Sequence, residues 1–415
     1  MRIVQINITD TQGGGAARCA HQLFVGLRER GVESFLFVMR KNSSDPDVIG
    51  PRGSLQRLWY RLLVGLNLLG IQFFYRGHRG GHTLGVFPNP FLLRQLKAMK
   101  PDLVHLHAPA CSFIPIRAIP KLGCPVVWTF HDLWPMVGAA HHPDPVPACW
   151  FHDGVRERCT DLKPGRLECQ LWSQKQRAWR KATFQIVAPS EWMAHWCRNS
   201  RALDQHALSV IANAIDPDVF TPEVSEKAWL SSLGIPDDAY VILFGANFLV
   251  SDTNKGLTLV LEAIRLLGTP PHKLHVVLFG AEREFAPGLQ LNTTVLGPLS
   301  DYRQLQSLYA RADVFLMASV FENLPFAVME AMACETPVVA VNTGGIPEMI
   351  THGKDGFLLD ERSADEMAKG LQWAISHKHW SYVKQAARVT VLSRYAQKEF
   401  VDKHLALYQE CIGTK

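Results

Sequence analysis

Twice along this chain, short apolar runs alternate with amphipathic stretches in the order strand, loop, helix. The first set of runs is Ile3–Ile8, Glu33–Val38, Leu103–His107, Val126–Phe130 and Phe184–Ala188, with helical patterning over Ala16–Arg30 and Pro90–Met99. The second set is Tyr240–Gly245, His275–Phe279, Thr294–Leu296, Val314–Ala318 and Val338–Val341, with helices expected over Gly256–Leu267, Ser300–Arg311 and Pro325–Ala333. Strands joined through helices run parallel and are covered on both faces. The expected fold is therefore α/β: two doubly wound, Rossmann-like parallel-sheet domains facing a cleft. Ligands of such sheets bind beyond the carboxyl ends of the strands, which puts the expected site in that cleft.

A length of 415 residues also exceeds one ordinary core. The join is expected near Ile211–Phe220, giving an acceptor-side domain over 1–212 and a donor domain over 213–395. A last helix, 396–412, is expected to pack back onto the first domain.

With 47% hydrophobic and 20% charged residues the chain reads as soluble and globular, and a net charge of +5 is too modest for a nucleic-acid binder. The N-terminus enters a strand directly, without an export signal, so a cytoplasmic location is expected. Nine cysteines, mostly single and in apolar surroundings, fit reduced thiols better than a disulfide framework. Cys149, Cys159 and Cys169, with His152, are too widely spaced for a zinc site. The apolar run Leu62–Phe74 is too short to span a bilayer. Its flanks hold Arg52, Arg57, Trp59, Tyr60, Arg61, Tyr75, Arg76 and Arg79, so it is either a helix lying in a membrane interface or a core helix.

The chemistry-bearing residues gather at strand ends. Glu322 follows the apolar run Asp313–Ser319, and Glu330 lies early in the helix that Pro325 is expected to start. A helix start favours anions, yet two acids surround this one. A ligand carrying both phosphate and sugar hydroxyls resolves that conflict, and a nucleotide sugar is such a ligand. Lys255 opens another helix beyond Tyr240–Gly245 and is a candidate for the diphosphate. Gly13-Gly14-Gly15, after the first strand, permits close approach of a phosphate without the dinucleotide fingerprint. His131 at a strand mouth is a candidate for a sugar hydroxyl or developing charge, with Asp132 orienting it or a nearby amide, and His107 is a weaker candidate. Thr343-Gly344-Gly345 permits another close backbone approach, while Asp216-Pro217-Asp218 reads as a turn rather than a metal-nucleotide motif.

Glu322–Glu330 matches an E-x7-E signature, extended by Glu330–Ala340, Thr343–Ile350 and His352–Leu359, by Leu308–Met317 and by Asn213–Asp216. With Gly13–Arg18 and Val127–Pro135, this resembles the retaining glycosyltransferases of family four with the GT-B fold, in the branch that builds capsule and colanic-acid-like surface polysaccharides. The resemblance implies that Glu330 accepts from the nucleotide ribose and that Glu322 lies by the transferred sugar. Asn323, Leu324 and Pro325 would line that sugar, and Lys255 would hold the phosphates. His131 would sit at the sugar's reacting face, and Gly14 and Gly15 would border the donor phosphates and acceptor, with His107 and Asp132 as acceptor-side candidates. It further implies a hexosyltransferase-type enzyme with no catalytic metal and no cofactor beyond the nucleotide-sugar substrate. The acceptor would be an oligosaccharide, expected to be lipid-linked, and the location the inner face of the cytoplasmic membrane. The arginine that many members carry upstream of the lysine is missing from Gly245–Asn254. That keeps open a catalytically inactive sugar-nucleotide-binding subunit, and a nucleotide-sugar epimerase on a similar two-domain scaffold is the rival enzyme.

Overall fold

A computed structural model describes residues 1–11, 13–74, 82–141, 166–246, 249–250, 252–268, 273–281, 285, 288–289, 291–377 and 379–413. The chain divides into two compact units, Met1–Ala212 with Lys398–Lys415, and Asn213–Gln397.

In the first unit, β1 (Arg2–Thr9), β2 (Glu33–Arg40), β3 (Val48–Ile49), β4 (Leu103–Leu106), β5 (Val126–Thr129), β6 (Gln185–Ala188) and β7 (Leu208–Val210) form one sheet. Its order is β3-β2-β1-β4-β5-β6-β7, and every pairing is parallel. All residues of β4 and β5 are buried, as expected of mainly apolar strands covered on both faces, and the buried His105 bonds Thr129 at 2.8 Å. Strand order reverses between β1 and β4, which creates the switch point at which open sheets receive ligands. Helix α1 (Gly15–Glu29) follows β1. The last helix of the chain belongs to this unit: a Cβ on Gly26 of α1 would lie 2.4 Å from Val401, and Arg30 pairs with Asp402 at 2.9 Å.

In the second unit, β8 (Tyr240–Gly245), β9 (Leu274–Phe279), β10 (Asn292–Leu296), β11 (Val314–Met317), β12 (Val338–Val341) and β13 (Gly356–Leu359) form a parallel sheet of order β10-β9-β8-β11-β12-β13. Its switch point lies between β8 and β11. Apolar residues of these strands, including Phe244, Leu278, Leu316 and Val339, pack with Val260, Ile264, Met367 and Leu371 into one core.

Three strands escaped the sequence pattern. β3 and β7 are too short to show a period. β13 begins with Gly356, where a Cβ would lie 2.7 Å from the Val338 carbonyl, so close strand approach replaces an apolar side chain there. Pro325 does not begin its helix. It sits one residue earlier, in extended backbone at φ −73° and ψ 127°, and the helix runs Phe326–Ala333.

Of the apolar run's two readings, neither stands alone. Helix α2 (Gly53–Phe74) puts one face into the core and leaves the other open, while Tyr75, Arg76 and Arg79 lie outside the described residues. Among the described residues no helix is long and apolar enough to cross a membrane. Cys19, Cys111, Cys197 and Cys334 are free thiols; Cys149, His152 and Cys159 lie outside the described residues.

Candidate functional site

The second unit carries its charged groups on the two loops that flank its switch point. After β8 the chain turns at Asp252, whose carboxylate accepts from the Asn254 backbone N–H at 3.0 Å, and a single 3-10 turn, Thr253–Lys255, delivers Lys255. Gly256 then enters the left-handed region at φ 74°, and a Cβ there would lie 2.3 Å from the Ala318 carbonyl, so only glycine permits this contact. Helix α3 (Leu257–Leu266) follows. Asn254 ties this loop to the one after β11: its Oδ1 accepts from Phe321 N at 3.1 Å, its Nδ2 donates to Phe321 O at 3.2 Å, and its backbone carbonyl accepts from Val320 N at 2.8 Å.

That docking brings Lys255 Nζ to 2.8 Å from Glu322 Oε1, with Ser319 Oγ donating to the same oxygen at 2.9 Å. Both charged side chains are largely withdrawn from solvent, at 24% and 18% exposure, so the pair is weakly screened. Burial pulls the Lys255 pKa down, but the Glu322 charge and hydrogen bond, with Asp252 behind them, leave it above the ordinary lysine value. The lysine is a fixed cation.

The Glu322 backbone is held as tightly as its side chain. Its carbonyl accepts from Gly345 N at 3.1 Å, and a Cβ on Gly344, which stands at φ 60°, would lie 1.6 Å from that oxygen. The close approach expected at this glycine pair is made by the Glu322 peptide. Asn213 Nδ2 donates to the Leu324 carbonyl at 3.0 Å, fixing the next turn. Asn323, Leu324 and Glu330 are buried, and Glu330 lies five residues into helix α4 (Phe326–Ala333), whose first turn has no acidic residue. The loop thus presents a fixed lysine, a carboxylate and a helix start, a combination that accommodates an anion bearing hydroxyl groups. Arg362, from the loop after β13, reaches the Ala318 carbonyl at 3.4 Å and brings a second cation to the end of β11.

The first unit's candidates flank its own switch point. Gly14 is the residue before α1, and a Cβ on it would meet nothing within 4 Å. Gly13 is constrained differently, since its Cβ would lie 2.6 Å from Thr9 and 2.7 Å from Ala17. No acidic side chain occupies the first turn of α1, which begins at Gly15, so its positive end is unopposed there. His107 follows β4 and His131 follows β5; His107 Nδ1 lies 3.1 Å from His131 Nε2. Burial drives the His131 pKa down to about 4 despite the Asp132 charge, and burial also pulls His107 well down, so both imidazoles are neutral at pH 7.

Asp132 accepts from Trp134 N at 2.9 Å and pairs with His141 Nδ1 at 2.6 Å. The His141 ring passes the contact on to Thr83 Oγ1 at 2.9 Å. The turn after His131 rests on Lys175, a buried lysine on the helix Arg166–Trp179 that donates to the carbonyls of Trp134, Val137 (2.8 Å) and Gly138 (2.5 Å). Asp216 accepts from Asp218 N at 2.9 Å, the turn expected of that triplet.

Comparison with known proteins places both units. Glycosyltransferase Family 4 matches residues 13–219, and Glycosyl transferases group 1 matches residues 225–391. The chain belongs with the family-four GT-B glycosyltransferases. This glycosyltransferase is similar to an uncharacterised 41.2 kDa protein of the cps region of Klebsiella pneumoniae, at 22% identity over 80% of this chain and 86% of that one. In fold it resembles sucrose-phosphate synthase from Thermosynechococcus elongatus, with a TM-score of 0.70 and 17% identity over 100% of both chains. It likewise resembles Anabaena HepE in complex with UDP-glucose, with a TM-score of 0.66 and 16% identity over 99% of this chain and 100% of that one.

Several residues that build the transferase's site were not singled out from its sequence. Arg362, His141 and Lys175 act through contacts 44, 58 and 41 residues away, whereas Ser319 and Asp252 act on Glu322 and Asn254 within three residues. Asn254 had a local signal, since Asp252-Thr-Asn-Lys-Gly256 has the composition of a capped turn before a helix.

Proposed function

We propose that this glycosyltransferase moves a hexose from a nucleotide diphosphate to a hydroxyl of a growing, lipid-linked oligosaccharide in surface-polysaccharide synthesis, with retention of anomeric configuration. The observation that carries the proposal is the Lys255–Glu322 pair, held at 2.8 Å on the two loops flanking the β8/β11 switch point. As the glycosidic bond breaks, negative charge grows on the leaving diphosphate. Lys255 and the start of α4 stabilise that charge, without a catalytic metal in this scheme. Glu322 and the backbone of Asn323, Leu324 and Pro325 orient the sugar, and Glu330 accepts from the ribose. In the first unit, Gly14 and Gly15 border phosphate, neutral His131 is the group offered to the sugar, and His107 and Asp132 stand on the acceptor side. The departing phosphate oxygen serves as the base for same-face attack by the acceptor hydroxyl. The similarity to a cps-region protein supports the polysaccharide role, and the UDP-glucose carried by a structural relative supports the class of donor.

We further propose attachment to the inner face of the cytoplasmic membrane through α2. This helix is inverted in polarity. It buries Gln56 (3% exposed) and Asn67 (1%) beside Tyr60 and Leu63, and exposes Leu55, Leu58, Leu62, Leu69 (64%) and Phe73 (71%). Gln56 Oε1 accepts from Arg52 N at 2.8 Å, and Asn67 Oδ1 accepts from Leu84 N at 2.9 Å, so the buried amides are satisfied. The exposed residues recur at helical spacing along one stripe, with Arg57 and Arg61 beside them. An apolar stripe edged by arginines suits an anionic lipid surface.

The function is tested by screening nucleotide sugars for thermal stabilisation and then measuring product mass with oligosaccharide acceptors. Added acceptor mass equal to one sugar is expected. An epimer formed from donor alone, or stabilisation without turnover, would replace the transfer reading by an epimerase or a binding subunit respectively.

A further inference from the structure

The first unit contains a constellation of metal-ligating groups that adds Cys19 to two histidines of the proposed sugar site. Cys19 lies on α1, His107 follows β4 and His131 follows β5, so three separate elements converge at one point beside the β1/β4 switch. Their ligand atoms, one sulfur and two imidazole nitrogens, all lie within 4.8 Å of one another. Cys19 and His107 are buried, at 1% and 2% exposure, and His131 is half-buried. We propose that Cys19, His107 and His131 form a site for a borderline-soft divalent cation of the zinc class.

The donor set selects the metal. A thiolate and two imidazoles suit zinc, whereas calcium and magnesium need oxygen ligands, and none of these three residues supplies one. The nitrogen pair has the spacing that zinc demands. Two nitrogens bound tetrahedrally lie about 3.3 Å apart, and His107 Nδ1 and His131 Nε2 are 3.1 Å apart. The ring planes are 24° apart, so binding turns the rings until both lone pairs meet at one ion. The far nitrogen of His107, Nε2, lies 3.0 Å from the Gln5 side-chain amide. The neighbouring Ala20 carbonyl and Phe24 N–H favour the amide nitrogen on that side. A metal on Nδ1 leaves the proton on Nε2 and therefore requires the Gln5 amide to turn over, presenting its oxygen as the support a ligating histidine uses. Binding converts the Cys19 thiol to a thiolate and releases its proton to solvent. Three protein ligands leave a fourth position on the side of half-buried His131.

Occupancy takes the His131 nitrogen that the proposed transfer mechanism offers to the sugar, so the cation acts as an inhibitor. This consequence rests on the proposed function, but the binding itself does not.

The test is titration of the full chain, stripped with chelator, with Co2+ as a spectroscopic probe for Zn2+. The wild type is expected to give tetrahedral visible bands and a near-ultraviolet sulfur-to-cobalt band that saturates and is abolished by added Zn2+. The near-ultraviolet band should disappear in Cys19→Ser, and affinity should fall by at least about tenfold in His107→Gln. A wild-type chain that gives no such bands, or variants that keep them unchanged, would overturn the site. X-ray absorption of the zinc-loaded wild type removes any dependence on the variants folding. One sulfur and two imidazole nitrogens are expected, and a shell without sulfur or with several sulfurs excludes the assignment. Zinc that binds this way yet leaves transfer unaffected would uphold the site and count against the role given to His131.

Discussion

Lys255 Nζ donates to Glu322 Oε1 at 2.8 Å, joining the loop after β8 to the loop after β11. The two residues are 67 positions apart and meet because Asn254 bonds the Phe321 peptide on both sides. The pair concentrates a fixed positive charge at the strand ends where the account places the donor diphosphate. Lys255→Ala should lower kcat/KM by about 10²–10³-fold, the usual cost of one preorganised charge-stabilising donor. Because the Lys255 pKa is raised, its charge does not change around neutrality, and the pH profile of transfer should carry no limb from it. Steady-state kinetics across neutral pH check both statements.

Gly344 is the point at which backbone geometry controls Glu322. With φ at 60° and the Glu322 carbonyl where its Cβ would stand, Gly344→Ala combines strain with a clash. A loss of about 1–3 kcal/mol in unfolding free energy is expected, with a larger fractional loss of activity, because the displaced peptide carries the carboxylate. Urea unfolding beside initial rates separates the two effects; an active, fully stable variant would count against this role for the glycine.

Lys175 supports the turn after His131 from within the core. Its Nζ reaches three carbonyls and lies 3.7 Å from the centre of the Trp134 ring, while burial pulls its pKa well down. Lys175→Met keeps the volume but leaves buried acceptors without their donor. It should destabilise the chain by at least about 2 kcal/mol, read from chemical denaturation.

Four histidines of the first unit, His105, His107, His131 and His404, have depressed pKa values, with loss of solvent as the main cause in each. In the unfolded chain they protonate near 6.5 and in the folded chain only well below, to about 4 for His131 and His404. Between those limits the unfolded state binds more protons. Stability is therefore complete above 6.5 and falls as pH drops below it, by about 1.4 kcal/mol per pH unit for each such histidine. Urea midpoints on either side of 6.5 test the sign and the slope.

The α2 stripe yields a separable prediction, since its residues are exposed and contribute little to the core. Leu62→Ser with Leu69→Ser should abolish co-sedimentation with vesicles rich in phosphatidylglycerol while leaving the thermal midpoint unchanged. Arg57→Gln with Arg61→Gln should weaken binding and remove its salt dependence. Binding unaffected by either pair would rule out this face.

The fold was legible where the signal was periodic. Runs such as Val314–Met317 and Val338–Val341 are buried on both faces and show it in every residue. The placement of Glu322 and His131 shortly beyond such runs, and of Lys255 just before a helix, was legible because a polar residue there has a position as well as a type. What holds them was not legible. Asn213 reaches Leu324 across 111 positions and Lys175 reaches Trp134 across 41, and neither contact leaves a local pattern. The Gly344-Gly345 pair shows the same limit from the other side. Its need for close approach was readable, but the backbone that approaches, the Glu322 peptide, was not.

The central claim is that the second unit holds the leaving diphosphate through Lys255. The most direct test is the binding of inorganic pyrophosphate and of UDP to the full chain by calorimetry, compared with folded Lys255→Ala. The account predicts that the wild type binds both and that the variant loses at least about tenfold in affinity for each. Equal affinity in the two proteins would contradict it.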